Sequence, residues 1–304
     1  MGYQLAGFKE LLAVEWDDNA VETFRMNFPE VTVYHGDIAK LTSDECMRLA
    51  GISKGELDVF DGSPPCQGFS TAGKRKYDDP RNSLFKEFAR LLNDLQPKVF
   101  VMENVTGMIK GHMKQAYLEI MRTLRGCGYV AKGEVMNAMY YNVPQSRERV
   151  IIIGVRKDLG IEPTHPKPQA KPITIREAFK GLSGFEKEAC IKKFAIGGEW
   201  AKLSCGGKSS KYISLARPRW DATSPTLTKK ASCASAASVT HPDECRKYSS
   251  NEAKRIGSFP DDFVFVGGWA KTIERIGNSV PPNLMKAIAT HIKDNILHKA
   301  GDNQ

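Results

Sequence analysis

The feature that most narrows what this chain can fold into is an alternation of short apolar runs with helical stretches. Leu11 to Glu15, Val31 to Tyr34, Leu57 to Gly62, Pro97 to Met102 and Arg149 to Val155 are apolar runs of strand length. Between them, Asn19 to Asn27, Leu84 to Leu95 and Tyr117 to Arg125 space their apolar residues at helical intervals. Strands joined through helices need crossover connections, which predicts an α/β fold with a mostly parallel sheet. In such sheets ligands bind beyond the carboxyl ends of the strands. Glu15, Asp37, the loop around Cys66 and Glu103 all fall at predicted strand ends, so chemically active groups share one rim.

The texture changes at Pro163. Prolines cluster at 163, 166, 168 and 172, Gly, Ser and Lys crowd Gly197 to Ser210, and only short β-like pieces such as Lys211 to Leu215 interrupt. Regular patterning returns near Asn251 and ends in a predicted helix from Asn283 to Leu297. The expected organisation is a catalytic domain over 1–162, a smaller irregular β-containing unit over 163–245, and a return to the first domain over 246–304.

Charge follows the same division. The chain carries a formal net charge of +9. Between Pro163 and Lys230 there are 14 Lys or Arg against 5 Asp or Glu, while the remainder balances at 30 of each. A polyanionic partner accounts for such a block, because each neutralised phosphate releases a condensed counterion. A solvated basic face is the alternative. The seven cysteines, at 46, 66, 127, 190, 205, 233 and 245, show no C-x-x-C pair, which argues against zinc and against a disulfide framework. With neither a secretory leader nor a membrane-length apolar run, a reducing cytoplasm is the expected setting.

A nucleophilic thiolate needs exposure and a positive surrounding potential. In Ser63-Pro64-Pro65-Cys66-Gln67-Gly68-Phe69-Ser70 the prolines block strand pairing and Gly68 permits close backbone approach, leaving Cys66 on an open loop. This run resembles the nucleophile loop of cytosine carbon-5 DNA methyltransferases. Further stretches resemble that family's elements in their usual order: Met102-Glu103-Asn104-Val105, Gln145-Ser146-Arg147-Glu148-Arg149, Arg246 to Ile256 with Phe259-Pro260-Asp261, and Gly277-Asn278-Ser279-Val280-Pro281-Pro282. The resemblance covers nearly the whole chain outside 163–238.

It implies a Rossmann-like, doubly wound mixed sheet of the class I methyltransferase type, with the irregular segment as target-recognition domain. It implies S-adenosylmethionine as methyl donor, no metal, and transfer to carbon 5 of a flipped-out cytosine in double-stranded DNA through a covalent Cys66 adduct. Glu103 would serve ring nitrogen 3, Arg149 the cytosine carbonyl oxygen, and Arg147 would brace the site. The cofactor residues would be Glu15 at the ribose, Trp16 and Ile38 on the adenine faces, Asp37 at its amino group, with Pro65, Leu84, Asn278 and Val280. On the DNA side the implied residues are Gln67 and Ser70 on the nucleophile loop and Arg217, Arg219, Thr226, Lys229 and Lys230 around Pro225-Thr226-Leu227-Thr228. A monomer is expected, with a restriction endonuclease as a genetic partner.

The family's N-terminal strand and its Phe-x-Gly-x-Gly-Gly loop have no counterpart here, since Met1 to Phe8 resembles the helix that follows them. The expectation is therefore a chain without that cofactor clamp and with weak or undetectable activity. A catalytically silent base-flipping module, or one part of a split enzyme, is the alternative from another class. The family's tRNA-methylating branch carries a Cys-Phe-Thr motif that this chain lacks.

Overall fold

The computed structural model describes residues 1–65 and 83–302. The chain opens with a short helix α1 (Gly2–Leu5), then strand β1 (Leu12–Glu15), helix α2 (Asp18–Asn27), strand β2 (Thr32–His35), helix α3 (Ser43–Ala50) and strand β3 (Val59–Gly62). Helix α4 (Ser83–Leu95), strand β4 (Val99–Val105), helix α5 (Lys114–Gly126) and strand β5 (Tyr129–Asn137) follow. After the two-residue strand β6 (Gln145–Ser146) comes the long strand β7 (Glu148–Arg156). The remainder is helical or irregular: α6 (Ile175–Ala178), α7 (Ala195–Trp200), the two-residue strand β8 (Ser224–Pro225), α8 (Ser250–Ile256), α9 (Trp269–Asn278), α10 (Pro282–Ile292) and α11 (His298–Asp302).

The main sheet has the order β3-β4-β7-β5. β3 runs parallel to β4, and β7 is antiparallel to both its neighbours, so the sheet is mixed and less parallel than the alternation alone suggests. β1 and β2 form a separate parallel pair. The period-two alternation of strand side chains builds a doubly wound core. Val99, Val101, Ile151 and Ile153 face Leu284, Ile288 and Ile292 of α10 on one side. Phe100, Met102 and Ile152 face Phe88 and Leu92 of α4 and Ile120 and Leu124 of α5 on the other. Each of these large side chains contributes about 1.5–3 kcal/mol by leaving water, and together they fix β4 and β7 between two helical layers.

Capping explains where the site-bearing helices begin. The Asp17 side chain accepts the Ala20 N–H at the start of α2. Ser249 and Glu252 form a capping box that opens α8. Pro282 sits in the first turn of α10, where its missing N–H has no intrahelical partner to lose. The predicted helix over 283–297 is thus present, though it widens into a π turn over Lys293–Leu297.

One expectation fails locally, and one strand goes unforeseen. Lys211 to Leu215 is a turn, pinned by the Ser209 hydroxyl, which accepts the N–H groups of Lys211 and Tyr212. β5 is a full nine-residue strand that the apolar runs did not reveal. The segment 163–245 has one small core of its own, around Ile191, Ile196, Trp200 and Leu215. A second core is shared, as Ile175, Leu227, Ala231 and Val239 pack with Tyr248, Ile256, Trp269 and Ile276. Among the described residues no helix is long and apolar enough to cross a membrane.

Candidate active site

The ends of β4 and β7 bring together residues far apart in sequence. Val105 pairs with Arg149 and Glu103 with Ile151 in the antiparallel ladder. Across this register the Arg149 Nε lies 2.7 Å from a Glu103 carboxylate oxygen, with only 13% and 11% of the two side chains exposed. Neighbouring Asn104, also buried, sends its Nδ2 2.9 Å to the Pro64 carbonyl. The chain leaving β3 toward Cys66 is thereby tied to the residue next to Glu103. Cys66, Gln67 and Ser70 lie outside the described residues. Pro65, the last described residue before them, is exposed, and so is Leu84 at the start of α4.

Arg147 behaves differently from Arg149. It is buried, and its guanidinium donates to the Leu227 carbonyl at 3.0 Å and the Gly277 carbonyl at 3.2 Å. Burial, and secondarily the nearby Arg149 cation, lower its pKa to about 10, so it stays charged at neutral pH. The structure places it as a brace between three elements, not against the open rim. Gln145 reinforces it: its Oε1 accepts the Leu227 N–H at 3.0 Å and its Nε2 donates to the Ile256 carbonyl at 3.2 Å. Gly277 completes the junction, because a Cβ there would collide with the backbone of Thr228 and Lys229.

On the opposite wall, Glu15 ends β1 with its carboxylate fixed by the N–H groups of Trp16 and Asp17, at 2.8 and 2.9 Å. Trp16 leaves 72% of its surface exposed, an unusual state for an indole that only packs. Asp37 accepts the Ala39 N–H at 3.0 Å, beside half-buried Ile38. Asn278 is exposed at the end of α9, and Val280 is half-buried just beyond it. A backbone-anchored carboxylate, an uncovered aromatic face and a second acid at the next strand end suit an adenosine group, with hydroxyls for Glu15 and a flat base for Trp16. These residues fit S-adenosylmethionine.

In the basic segment the named residues divide. Arg217 is half-buried, donates to the carbonyls of Pro242 and Leu203, and covers the Trp200 ring at 4.3 Å. The Thr226 hydroxyl donates to the Ser146 carbonyl at 2.8 Å. Arg219 is exposed but paired in two contacts with Asp221. Lys229 and Lys230 are exposed on a short turn over Lys229–Ser232 that packs beside Gly277. Gln145 and Asn104 stand in the motifs quoted above, yet the sequence alone assigned them no part. Their tie-points are main-chain groups 40 or more residues away, which residue type does not reveal.

The mixed sheet, covered by helices on both faces, is the class I methyltransferase fold. A family model described as C-5 cytosine-specific DNA methylase matches residues 1–294. The type II methyltransferase M1.HphI of Haemophilus parahaemolyticus is 36% identical over 95% of this chain and 82% of its own length. M.Eco47II of Escherichia coli, of the same type, is 33% identical over 97% and 77%. Among solved structures, a prophage-encoded E. coli protein assigned as a DNA modification methyltransferase superposes with a TM-score of 0.80 at 25% identity, covering 98% of this chain and 95% of that one. The S. pombe Dnmt2 methyltransferase shares the fold with a TM-score of 0.69 at 18% identity, over 96% and 94%. The chain belongs to the C-5 cytosine-specific DNA methylase family. It is an enzyme that methylates cytosine in DNA, with S-adenosylmethionine as the methyl donor.

Proposed function

We propose that this enzyme works through a covalent Cys66 adduct on a cytosine flipped out of double-stranded DNA. The observation that carries the reading is the half-enclosed Glu103–Arg149 pair at 2.7 Å, held one residue from the Asn104 tether of the nucleophile loop. Addition of the Cys66 sulfur to ring carbon 6 drives electron density toward ring nitrogen 3. A proton shared with Glu103 neutralises it there, and Arg149 donates to the carbonyl oxygen at carbon 2. Carbon 5 is now nucleophilic. When bound, S-adenosylmethionine supplies the electrophilic methyl group. Loss of the carbon-5 proton to solvent and departure of the Cys66 thiolate then restore the aromatic ring. In the resting protein Arg149 occupies Glu103, so an entering cytosine exchanges one charge-assisted contact for two of its own.

The target carbon is stacked inside duplex DNA, which requires base flipping, with Gln67 and Ser70 at the vacated space. Residues 163–245 are proposed as the target-recognition unit, with Lys229, Lys230 and Arg219 meeting phosphate. The relatives' type II designation suggests a restriction endonuclease as genetic partner, with the enzyme acting as a monomer in the bacterial cytoplasm. The test is trapping on a duplex carrying 5-fluorocytosine, whose fluorine cannot leave as the proton does. With S-adenosylmethionine present, the wild type is expected to form a denaturant-resistant adduct and Cys66→Ser none. No adduct with the wild type, or an adduct that survives Cys66→Ser, refutes the mechanism.

A further inference from the structure

Between Glu199 and Asp221 the chain carries no acid and five basic residues, Lys202, Lys208, Lys211, Arg217 and Arg219. Within that stretch Ile213 leaves 89% of its surface exposed, more than any other large apolar side chain among the described residues. An isolated apolar group on a surface is ordinary, but this one stands on a turn with little slack. The Ser209 hydroxyl accepts the N–H groups of Lys211 and Tyr212 and donates to Glu199 Oε1 at 2.8 Å. The Leu215 N–H closes the turn on the Tyr212 carbonyl at 2.7 Å. Tyr212 and Leu215 face the small core around Trp200, which leaves Ile213 standing outward. Lys208, Lys211 and Ser214 of the same turn are exposed with it.

The direction of this turn follows from the pairing at its base. Lys208 and Ala216 pair antiparallel and close a hairpin, while Ala216 pairs parallel with Val239. The Ala216 N–H donates to the Ser238 carbonyl, and the Ala216 carbonyl accepts the Thr240 N–H. In a parallel pair the residues that precede each partner lie at the same end. Ile213 precedes Ala216, and the turn over Lys229–Ser232 precedes Val239. Tyr212 and Ala234, one beside Ile213 and the other just past that turn, pack on the same small core. The apolar tip therefore stands at the end of the unit that carries Lys229 and Lys230.

We infer that Ile213 enters a groove of the bound duplex and packs against its bases; this deepens the reading of residues 163–245 as the target-recognition unit and rests on it. The cations around the tip select a polyanion as partner, and they meet the phosphates that flank the groove. Ile213 itself gains nothing from phosphate. Bases offer it apolar surface, either the thymine methyl group at a base edge or an opened base step. Burial there releases the water that now covers the side chain. A β-branched residue on a braced turn also loses little conformational freedom when it binds.

The test needs no turnover. Duplexes retained by the wild type from a random-sequence pool give its preferred site, and fluorescence anisotropy then compares a duplex carrying that site with a site-free duplex of equal length. Ile213→Ser is expected to weaken binding of the site duplex by about tenfold or more, and to leave site-free binding unchanged. The slope of log affinity against log salt should stay at the wild-type value on both duplexes, because no phosphate contact is lost. Ile213→Val should restore most of the affinity, and all three proteins should melt alike, since this side chain lies outside the core. Unchanged binding by Ile213→Ser, equal loss on both duplexes, or a changed salt slope overturns the assignment. So does a wild-type dimer that Ile213→Ser turns monomeric on size exclusion with DNA binding intact, which would make a second copy the partner. If the wild type enriches no sequence from the pool, the recognition reading itself falls, and Ile213 with it.

Discussion

Replacing Arg147 by alanine separates bracing from chemistry. The side chain is 3% exposed and its two carbonyl partners, Leu227 and Gly277, belong to different parts of the fold. Removing it leaves two enclosed carbonyls without donors, each costing about 1–3 kcal/mol. Truncation also opens a void that the surroundings only partly fill. The expected loss is about 4 kcal/mol, a large part of the 5–15 kcal/mol that typically separates folded from unfolded domains. At about 2 °C per kcal/mol for a chain of this size, the melting temperature should fall by about 8 °C. Arg147→Lys keeps one donor group but cannot span both carbonyls, and about half that loss is expected. The assay is thermal and urea unfolding followed by circular dichroism, with amide hydrogen exchange at Leu227 and Thr228, where opening should become faster. A melting temperature within 2 °C of wild type for Arg147→Ala, with unchanged exchange at Leu227, refutes the bracing argument.

Other expectations concern charge. Lys247 is buried, donating to the Ala236 carbonyl and the Ser238 hydroxyl at 2.7 and 2.6 Å, and burial lowers its pKa to about 8. Its folded value lies below its unfolded value, so the folded state binds fewer protons between them. Stability should therefore rise as pH climbs from 8 toward 10, by up to about 3 kcal/mol from this group, and Lys247→Met should flatten that rise in urea-unfolding midpoints. An unchanged slope in the variant would remove Lys247 as its source. For Lys229→Gln and Lys230→Gln, the slope of log affinity for DNA against log salt should shrink by about 1 each, measured by fluorescence anisotropy on duplex DNA. A slope equal to wild type would place both residues away from phosphate.

Much of the fold was legible because burial on both faces leaves an unmistakable print. Val150 to Val155 is nearly continuous apolar sequence because it lies at the centre of the sheet with helices on each side. β5 escaped notice for the converse reason. It lies at one edge of the sheet, with Gly133 mid-strand and a Lys132–Glu134 ion pair at 2.7 Å on its exposed face. Charges there protect a free edge and erase the apolar pattern. The same physics governs the site. Glu15 and Glu103 announce themselves, as acids ending apolar strands, and the structure brings Glu103 against Arg149. Arg217 could not be sorted by residue type, because an arginine facing phosphate and one donating to carbonyls of its own domain look identical in sequence.

The clamp on the segment proposed for target recognition has a consequence for how specificity can change. Gln145 and Arg147 grip Leu227 through its N–H and carbonyl, and the β6–β8 ladder adds only main-chain pairing at Ser224 and Pro225. A grip on backbone does not depend on which side chains the gripped segment carries. Flanking residues such as Lys229 and Lys230 can be exchanged while the socket stays constant. The junction thus works as a standard fitting, into which loops of different reading properties can be seated without redesigning the frame that carries the chemistry.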